Sequence, residues 1–257
     1  MQVAGKVVVV TGAGNGIGAA LATRFAREGA SAVIAADIDL DAATVVAERI
    51  DGHAFRVDVA DEDSNRRLIE EVESNFGPIE LFCANAGVAF EGDEQSPDAD
   101  WDRMFGINFK AHVYAARHLI PLWTGRGSGY LLVTASAAGL LSNIGAAQYT
   151  VTKHAAVAFA EWISITYGAG GVKVSCLCPQ GVRTRMLEQG GVVAELLAGS
   201  ALTPEEVASV VVDGLDAERF LILPHPEVGD FLVRKAGDRD GWIAAMQRLQ
   251  ARLGLSK

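Results

Sequence analysis

Hydrophobic positions along this chain follow two rhythms. Short β-branched runs at Lys6 to Thr11, Ser31 to Ala36, Ala54 to Val57 and Ile79 to Ala84 alternate with helical spacing at Ile17 to Gly29, at Leu40 to Ile50 and in a segment opening near Asp61. That third helical segment carries Leu68, Val72 and Phe76 four residues apart and ends at Gly77-Pro78. Such alternation predicts βαβ units around a parallel sheet. From Ser96-Pro97 a long helix is predicted, with Trp101, Phe105 and Phe109 on one stripe and a stop near Pro121, then a glycine-rich turn and a strand from Tyr130 to Ala135.

The next helix runs from about Gln148 to Tyr167, and a strand from Val172 to Cys178 leads into Pro179-Gln180-Gly181. Met186 to Ser200 carries weak signals and reads as a mobile flap. Thr203-Pro204-Glu205-Glu206 is a capping box with proline at the first helical position, so a helix to Leu215 is predicted, and Phe220 to Leu223 supplies a last strand. Beyond Pro224 the chain is richer in charge, and Trp242, Met246, Leu249 and Leu253 are spaced as a helical stripe. This predicts a C-terminal helical extension over 226–257, packed on its own subunit or on a partner. No linker, internal repeat or low-complexity segment divides the chain, so 1–257 is expected to form one α/β domain, a doubly wound parallel sheet with helices on both faces.

Composition permits such a core and narrows the partners. Half of the 257 residues are hydrophobic and the mean hydropathy is +0.22. A net charge of -10 repels phosphate backbones and anionic headgroups, so neither nucleic acid nor membrane is expected as a partner. Met1 to Lys6 runs directly into a strand without the apolar segment and cleavage site of a signal peptide, and no apolar stretch reaches membrane-spanning length, so a cytoplasmic location is expected. Cys83, Cys176 and Cys178 fall in strand-like runs and read as core residues, the latter two on one strand face. The five histidines, at 53, 112, 118, 154 and 225, lack metal-ligand spacing, so no metal is expected.

Candidate chemistry centres on Gln148-Tyr149-Thr150-Val151-Thr152-Lys153-His154. Tyr149 and Lys153 share a helix face, and Ser136 lies thirteen positions upstream at a strand end. An ammonium beside a phenol favours phenolate, and a neighbouring hydroxyl can hold a carbonyl oxygen, which together make a proton relay. His154 should face away from Lys153. A second signal is Thr11-Gly12-Ala13-Gly14-Asn15-Gly16-Ile17-Gly18 between the first strand and the first helix, where glycines let the backbone approach a pyrophosphate at a helix N-terminus. Asp37 closes the second strand about twenty residues later, where a carboxylate accepts the adenosine ribose hydroxyls and repels a 2'-phosphate. Neither Asn15 nor Ile38 offers that phosphate a positive charge, so NAD(H) is favoured over NADP(H). The competing role for Asp37, a helix cap, can be filled equally well by Asp39 or Asp41.

Taken together these segments resemble the short-chain dehydrogenase/reductase family in its single-domain, NAD-preferring form, over roughly Val3 to Leu223, with a Rossmann-like fold. Thr11, Gly12, Gly16 and Gly18 match its T-G-x3-G-x-G pattern. The resemblance implies that Asp58-Val59 contacts adenine, that Asn85-Ala86-Gly87 lines the cofactor cleft, and that Asn108, Ser136, Tyr149 and Lys153 form a catalytic tetrad. It implies further that Asn108 anchors a water touching Lys153, that Lys153 holds the nicotinamide ribose, and that Pro179, Val182 and Thr184 belong to a segment fixing the carboxamide. Three departures stand out. Ala84 replaces the first of two common asparagines, Gln180 replaces the usual glycine of P-G-x-V-x-T, and the tail is not the family's common short ending. Gln180 then either reads a polar substrate group or hydrogen-bonds a loop carbonyl.

The resulting expectation is an oxidoreductase that interconverts a secondary alcohol and a ketone, with Tyr149 passing the proton. A non-catalytic NAD(H) sensor would not need the tyrosine and lysine pair, and an NAD-dependent epimerase or dehydratase usually has a differently spaced glycine loop and a larger C-terminal domain. Phe90, Leu140, Leu141, Asn143, Gln180, Met186 and Leu187 are the expected pocket wall for a mainly apolar small molecule. Apolar faces around Trp101 to Tyr114 and Phe159 to Tyr167 resemble the helices through which the family forms homodimers or homotetramers; equally, those faces could cover the sheet.

Overall fold

A computed structural model of the chain describes residues 1–255. Seven parallel strands form its sheet: β1 Val7–Thr11, β2 Ala32–Asp37, β3 His53–Arg56, β4 Ile79–Ala84, β5 Gly129–Thr134, β6 Val172–Leu177 and β7 Leu221–Ile222, in the order β3-β2-β1-β4-β5-β6-β7. The chain winds outward from β1 to one edge, returns across it to β4, and winds to the other edge. This reversal between β1 and β4 opens a crevice at the strands' carboxyl ends, which in open α/β sheets is where ligands bind.

Strand alternation loads both faces of the sheet. Val7 and Val9, with Phe82, Leu131 and Val133, point to one side, against α3 Glu62–Asn75, α5 Ala111–Arg126 and α6 Ala147–Tyr167. Val8 and Val10, with Leu81, Cys83 and Leu132, point to the other, against α1 Gly16–Arg27, α2 Leu40–Arg49 and α9 Pro204–Asp216. Asp39 caps α2 by accepting from the Ala42 amide at 3.1 Å, and Asp61 caps α3. The capping box at Thr203 and Glu206 is formed, with both reciprocal bonds present.

Several expected elements differ. The helix predicted from Ser96-Pro97 begins as α4 Asp98–Phe105, widens into a π turn at Gly106–Lys110 and continues through Pro121 as α5. Pro121 lies in the helix interior rather than at its end, and the C-terminal stop is Gly127, at φ 70°. The segment expected as a mobile flap contains two short helices, α7 Arg185–Glu188 and α8 Val192–Ala198. The tail forms two helices, α10 Glu227–Gly237 and α11 Arg239–Arg252, which pack on their own chain. Among the described residues no helix is long and apolar enough to cross a membrane. Cys83, Cys176 and Cys178 are buried free thiols, the last two 3.8 Å apart.

Candidate active site

Above the strand ends lies one continuous cavity of about 720 Å³. Its nucleotide-sized half begins where β1 turns into α1. Gly12 and Gly16 adopt φ of 65° and 54°, conformations that a side chain disfavours. A Cβ on Gly12 would lie 2.8 Å from the Ala86 Cα, and one on Gly18 would come 2.7 Å from Asn85 Nδ2 and closer still to the Gly12 carbonyl oxygen. Close backbone approach therefore requires glycine at both positions. The loop is pinned to β4 by Thr11, whose hydroxyl donates to the Cys83 carbonyl and accepts from the Asn85 and Ala86 amides, while Asn85 Nδ2 donates to the Thr11 carbonyl at 3.0 Å.

Asp37 projects into this half from the tip of β2 and is 9% exposed. Its carboxylate accepts from the Gly14 amide at 2.8 Å and the Asp39 amide at 3.1 Å. The helix cap falls to Asp39, so Asp37 remains beside the glycine loop with both oxygens directed at loop amides. Ile38, 60% exposed, extends the cavity wall next to it. Gly12, Asn15, Gly16, Ile17, Gly18 and Asp37 all line the cavity. So do Asp58 and Val59, then Asn85, Ala86 and Gly87. Pro179, Val182 and Thr184 close it from the end of β6.

The second group of side chains comes from β5 and α6. Ser136, just beyond β5, starts a single turn of 3-10 helix at Ala137–Gly139 and accepts from the Ala138 amide at 3.1 Å. The Ala137 amide donates to the Pro179 carbonyl at 2.8 Å, which binds the loop after β5 to the one after β6. Tyr149 and Lys153, one turn apart on α6, both line the cavity with Ser136, as the helical spacing predicts. Lys153 is 3% exposed; its ammonium donates to the Thr134 carbonyl at 3.0 Å and lies 5.7 Å from the centre of the Tyr149 ring. Gly87 lies beside this cation: a Cβ there would come 3.4 Å from Nζ, an ordinary contact distance.

Burial lowers the Lys153 ammonium to about 8. Burial also raises the Tyr149 phenol, an effect the Ser136 hydroxyl partly offsets. Desolvation is thus the largest influence on the phenol, and it favours the protonated form. Asn108 sits in the π turn and is fully buried, outside the cavity lining. Its amide is used on the backbone of Val88, accepting from the nitrogen and donating to the oxygen at 2.9 Å each, with a further bond to Thr152. Those contacts lock the loop after β4 against α6.

Phe90, Leu141, Asn143, Gln180, Met186 and Leu187 line the other half of the cavity. Leu140 does not; it is buried in the core, and its carbonyl accepts from Lys235. The Gln180 amide nitrogen of the main chain donates to His225 Nδ1 at 3.1 Å, which leaves the side chain on the cavity wall. Three features escaped the sequence. His225 braces the loop after β6, His112 is held neutral near pKa 3 by burial and then by the Lys153 charge, and the tail helices face the cavity. A signal existed only for the tail, in its apolar stripe. His154 turns away from Lys153, toward the Thr150 carbonyl and Lys235.

Comparison with known proteins agrees with this arrangement. A family model described as short chain dehydrogenase matches residues 6–191. The chain is 34% identical over 238 residues to a 1-deoxy-11-beta-hydroxypentalenate dehydrogenase of Streptomyces exfoliatus, covering 88% of this chain and 86% of that one. It is also 34% identical over 223 residues to a meso-2,3-butanediol dehydrogenase of Serratia marcescens, covering 82% and 87%. A short chain dehydrogenase/reductase from Burkholderia phymatum, solved in complex with NAD, superposes with a TM-score of 0.85 at 27% identity, covering 93% of this chain and 96% of that one.

Proposed function

Because the chain belongs to the short-chain dehydrogenase family, we propose that it is an NAD(H)-dependent oxidoreductase that interconverts a secondary alcohol and a ketone, with Tyr149 as the proton acceptor and donor. The observation that carries this reading is the convergence of Ser136, Tyr149 and Lys153 on one cavity with the glycine loop. A bound nicotinamide supplies the hydride acceptor in oxidation and the hydride donor in reduction. Ser136 and the Tyr149 hydroxyl hold the substrate oxygen, and the Ser136 O–H stabilises negative charge that develops there. In oxidation the Tyr149 oxygen takes the hydroxyl proton while the carbinol C–H bond breaks, its electron pair leaves as hydride, and the C=O double bond forms. Reduction returns both.

Burial raises the Tyr149 phenol, and Lys153 together with a bound oxidised nicotinamide would favour phenolate against it. Lys153 would also hold the nicotinamide ribose, and the main chain at Val182 with Thr184 would hold the carboxamide. Asn108 acts through Val88, as a positioning residue. NAD(H) is favoured by Asp37, and by a lining whose cations among the described residues are Lys153 and Arg234, neither adjacent in sequence to the ribose end. One relative is named for butanediol and another for a hydroxypentalenate, so kinship leaves substrate size open.

The outer face of α6 suits self-association: Trp162 is 52% exposed and Ile165 77%, beside an aromatic column through Phe109 and Phe159. We assign the homodimer or homotetramer contact to that face.

The test uses a secondary alcohol deuterated at its carbinol carbon. Deuterium should appear in the NADH formed, and Tyr149→Phe should lower kcat by roughly a thousandfold with NADH affinity retained, as loss of a proton-transfer group predicts. Full activity in that variant removes tyrosine from the mechanism; better turnover with NADP than with NAD removes the Asp37 assignment.

A further inference from the structure

The tail that departs from the family pattern forms part of the cavity. Phe231 and Arg234 of α10, with Trp242, Met246, Leu249 and Leu253 of α11 and its end, line it together with Met186, Leu187 and Leu197 of the two short helices, so the tail's share of the lining is apolar apart from one guanidinium. Phe231 and Trp242 rings lie 6.3 Å apart, so the two tail helices meet over their aromatic residues. An aromatic and thioether surface left partly exposed to a cavity is matched by apolar ligand surface, because polar groups there would lose water without gaining partners.

Lys235 fixes the position of this wall. It is 7% exposed, and its ammonium donates to the Leu140 carbonyl at 2.7 Å and to the Leu141 carbonyl, and lies 3.5 Å from His154 Nε2. Leu140 and Leu141 follow Ser136 by four and five residues. A buried lysine without a carboxylate partner among the described residues is costly to keep, and here its two carbonyl acceptors belong to the segment that carries the substrate-holding serine. At the other end, a Cβ on Gly145 would lie 4.0 Å from Leu255 Cδ1, so the end of the tail also meets the loop before α6.

We propose that α10 and α11 are the specificity wall of the substrate cleft, that they select a secondary alcohol or ketone with a bulky, mainly hydrocarbon body over a short-chain one, and that Lys235 is the residue positioning that wall. This rests on the oxidoreductase reading for the reacting group, but the size preference is a property of binding. Each additional buried methylene should tighten binding about fourfold until the wall is filled.

The experiment measures binding of butanone, cyclohexanone and decalone to the NAD-loaded protein by calorimetry, the oxidised cofactor having no hydride to give a ketone, alongside turnover of the matching alcohols. Decalone should bind at least about a hundredfold more tightly than butanone. Trp242→Ala with Met246→Ala should compress that ladder by tenfold or more at decalone, with NADH affinity unchanged. Lys235→Met should weaken decalone binding and raise KM for its alcohol with little change in kcat, and Lys235→Arg, which keeps two donors, should restore both. Equal affinity across the ladder, or a ladder untouched by the tail variants, overturns the proposal. Size-graded binding without turnover of any alcohol sinks the dehydrogenase reading and leaves the wall standing. If Lys235→Met does not fold, the Trp242 and Met246 double variant decides.

Discussion

The two halves of the cleft are built from different materials. At the nucleotide end, glycines and main-chain amides converge between β1, β4 and α1, and the decisive side chains, Thr11, Asp37 and Asn85, are spent on backbone partners. At the other end the lining is made mainly of apolar side chains from α7, α8, α10 and α11, with Arg234 among them, held by a few long-range contacts such as Lys235 to Leu140. A backbone-built half tolerates no added atom, and a side-chain-built half can be resized one residue at a time. Fixed recognition of a cofactor and adjustable recognition of a substrate thus occupy one cavity.

The strongest way to break this comparison is Gly18→Ala. Its methyl group would collide with the Gly12 carbonyl, so NADH affinity should fall by roughly a hundredfold or more, read by fluorescence titration with a thermal melt as companion. Near-normal affinity would mean that the loop is pliable and the contrast false. Asp37→Ser comes next. Losing the charge-assisted bonds to the Gly14 and Asp39 amides, and the one proposed to the ribose, should weaken NADH by about ten- to a hundredfold and bring NADPH level with it, as measured by paired titrations.

A third test exploits the buried cation. Because the Lys153 ammonium titrates near 8 when folded and near 10.5 when unfolded, it is charged in both states below pH 8, where its desolvation cost is fully present. That cost is relieved as pH rises from about 8 toward 10.5. Lys153→Met should therefore raise the melting temperature of the cofactor-free protein by a few degrees at pH 7, an effect of up to about 3 kcal/mol reduced by about 1 for the unpaired Thr134 carbonyl, and the gain should fade above pH 8. A loss of stability at pH 7 would show that Lys153 is better solvated than its burial implies. The smallest effect is expected from Val233→Ala on the exposed side of α10, which should leave NADH affinity within about threefold and the melting temperature within about two degrees.

Legibility in the sequence follows the same division. The strand and helix order, the capping box and the shared face of Tyr149 and Lys153 depend on contacts within a few residues, and each is present. Pro121 was misleading because a proline ends a helix only when tertiary packing does not carry it through, and here Leu119, Ile120 and Trp123 around it are buried. The π turn left no mark that a residue pattern can show, since the amide of Asn108 bonds Val88 twenty residues away. Leu140 looked like a pocket residue by position, yet a lysine ninety-five residues later engages its carbonyl while its side chain enters the core.

Sequence alone determined the layered α/β architecture, the glycine loop and the shared helix face of Tyr149 and Lys153, because periodicity and local spacing are short-range properties of a chain. Only the tertiary structure decided that Asp39 rather than Asp37 caps α2, that burial raises the Tyr149 phenol, and that the tail turns back to line the cavity. Desolvation and long-range packing set those outcomes, and both depend on which distant residues come to share a space.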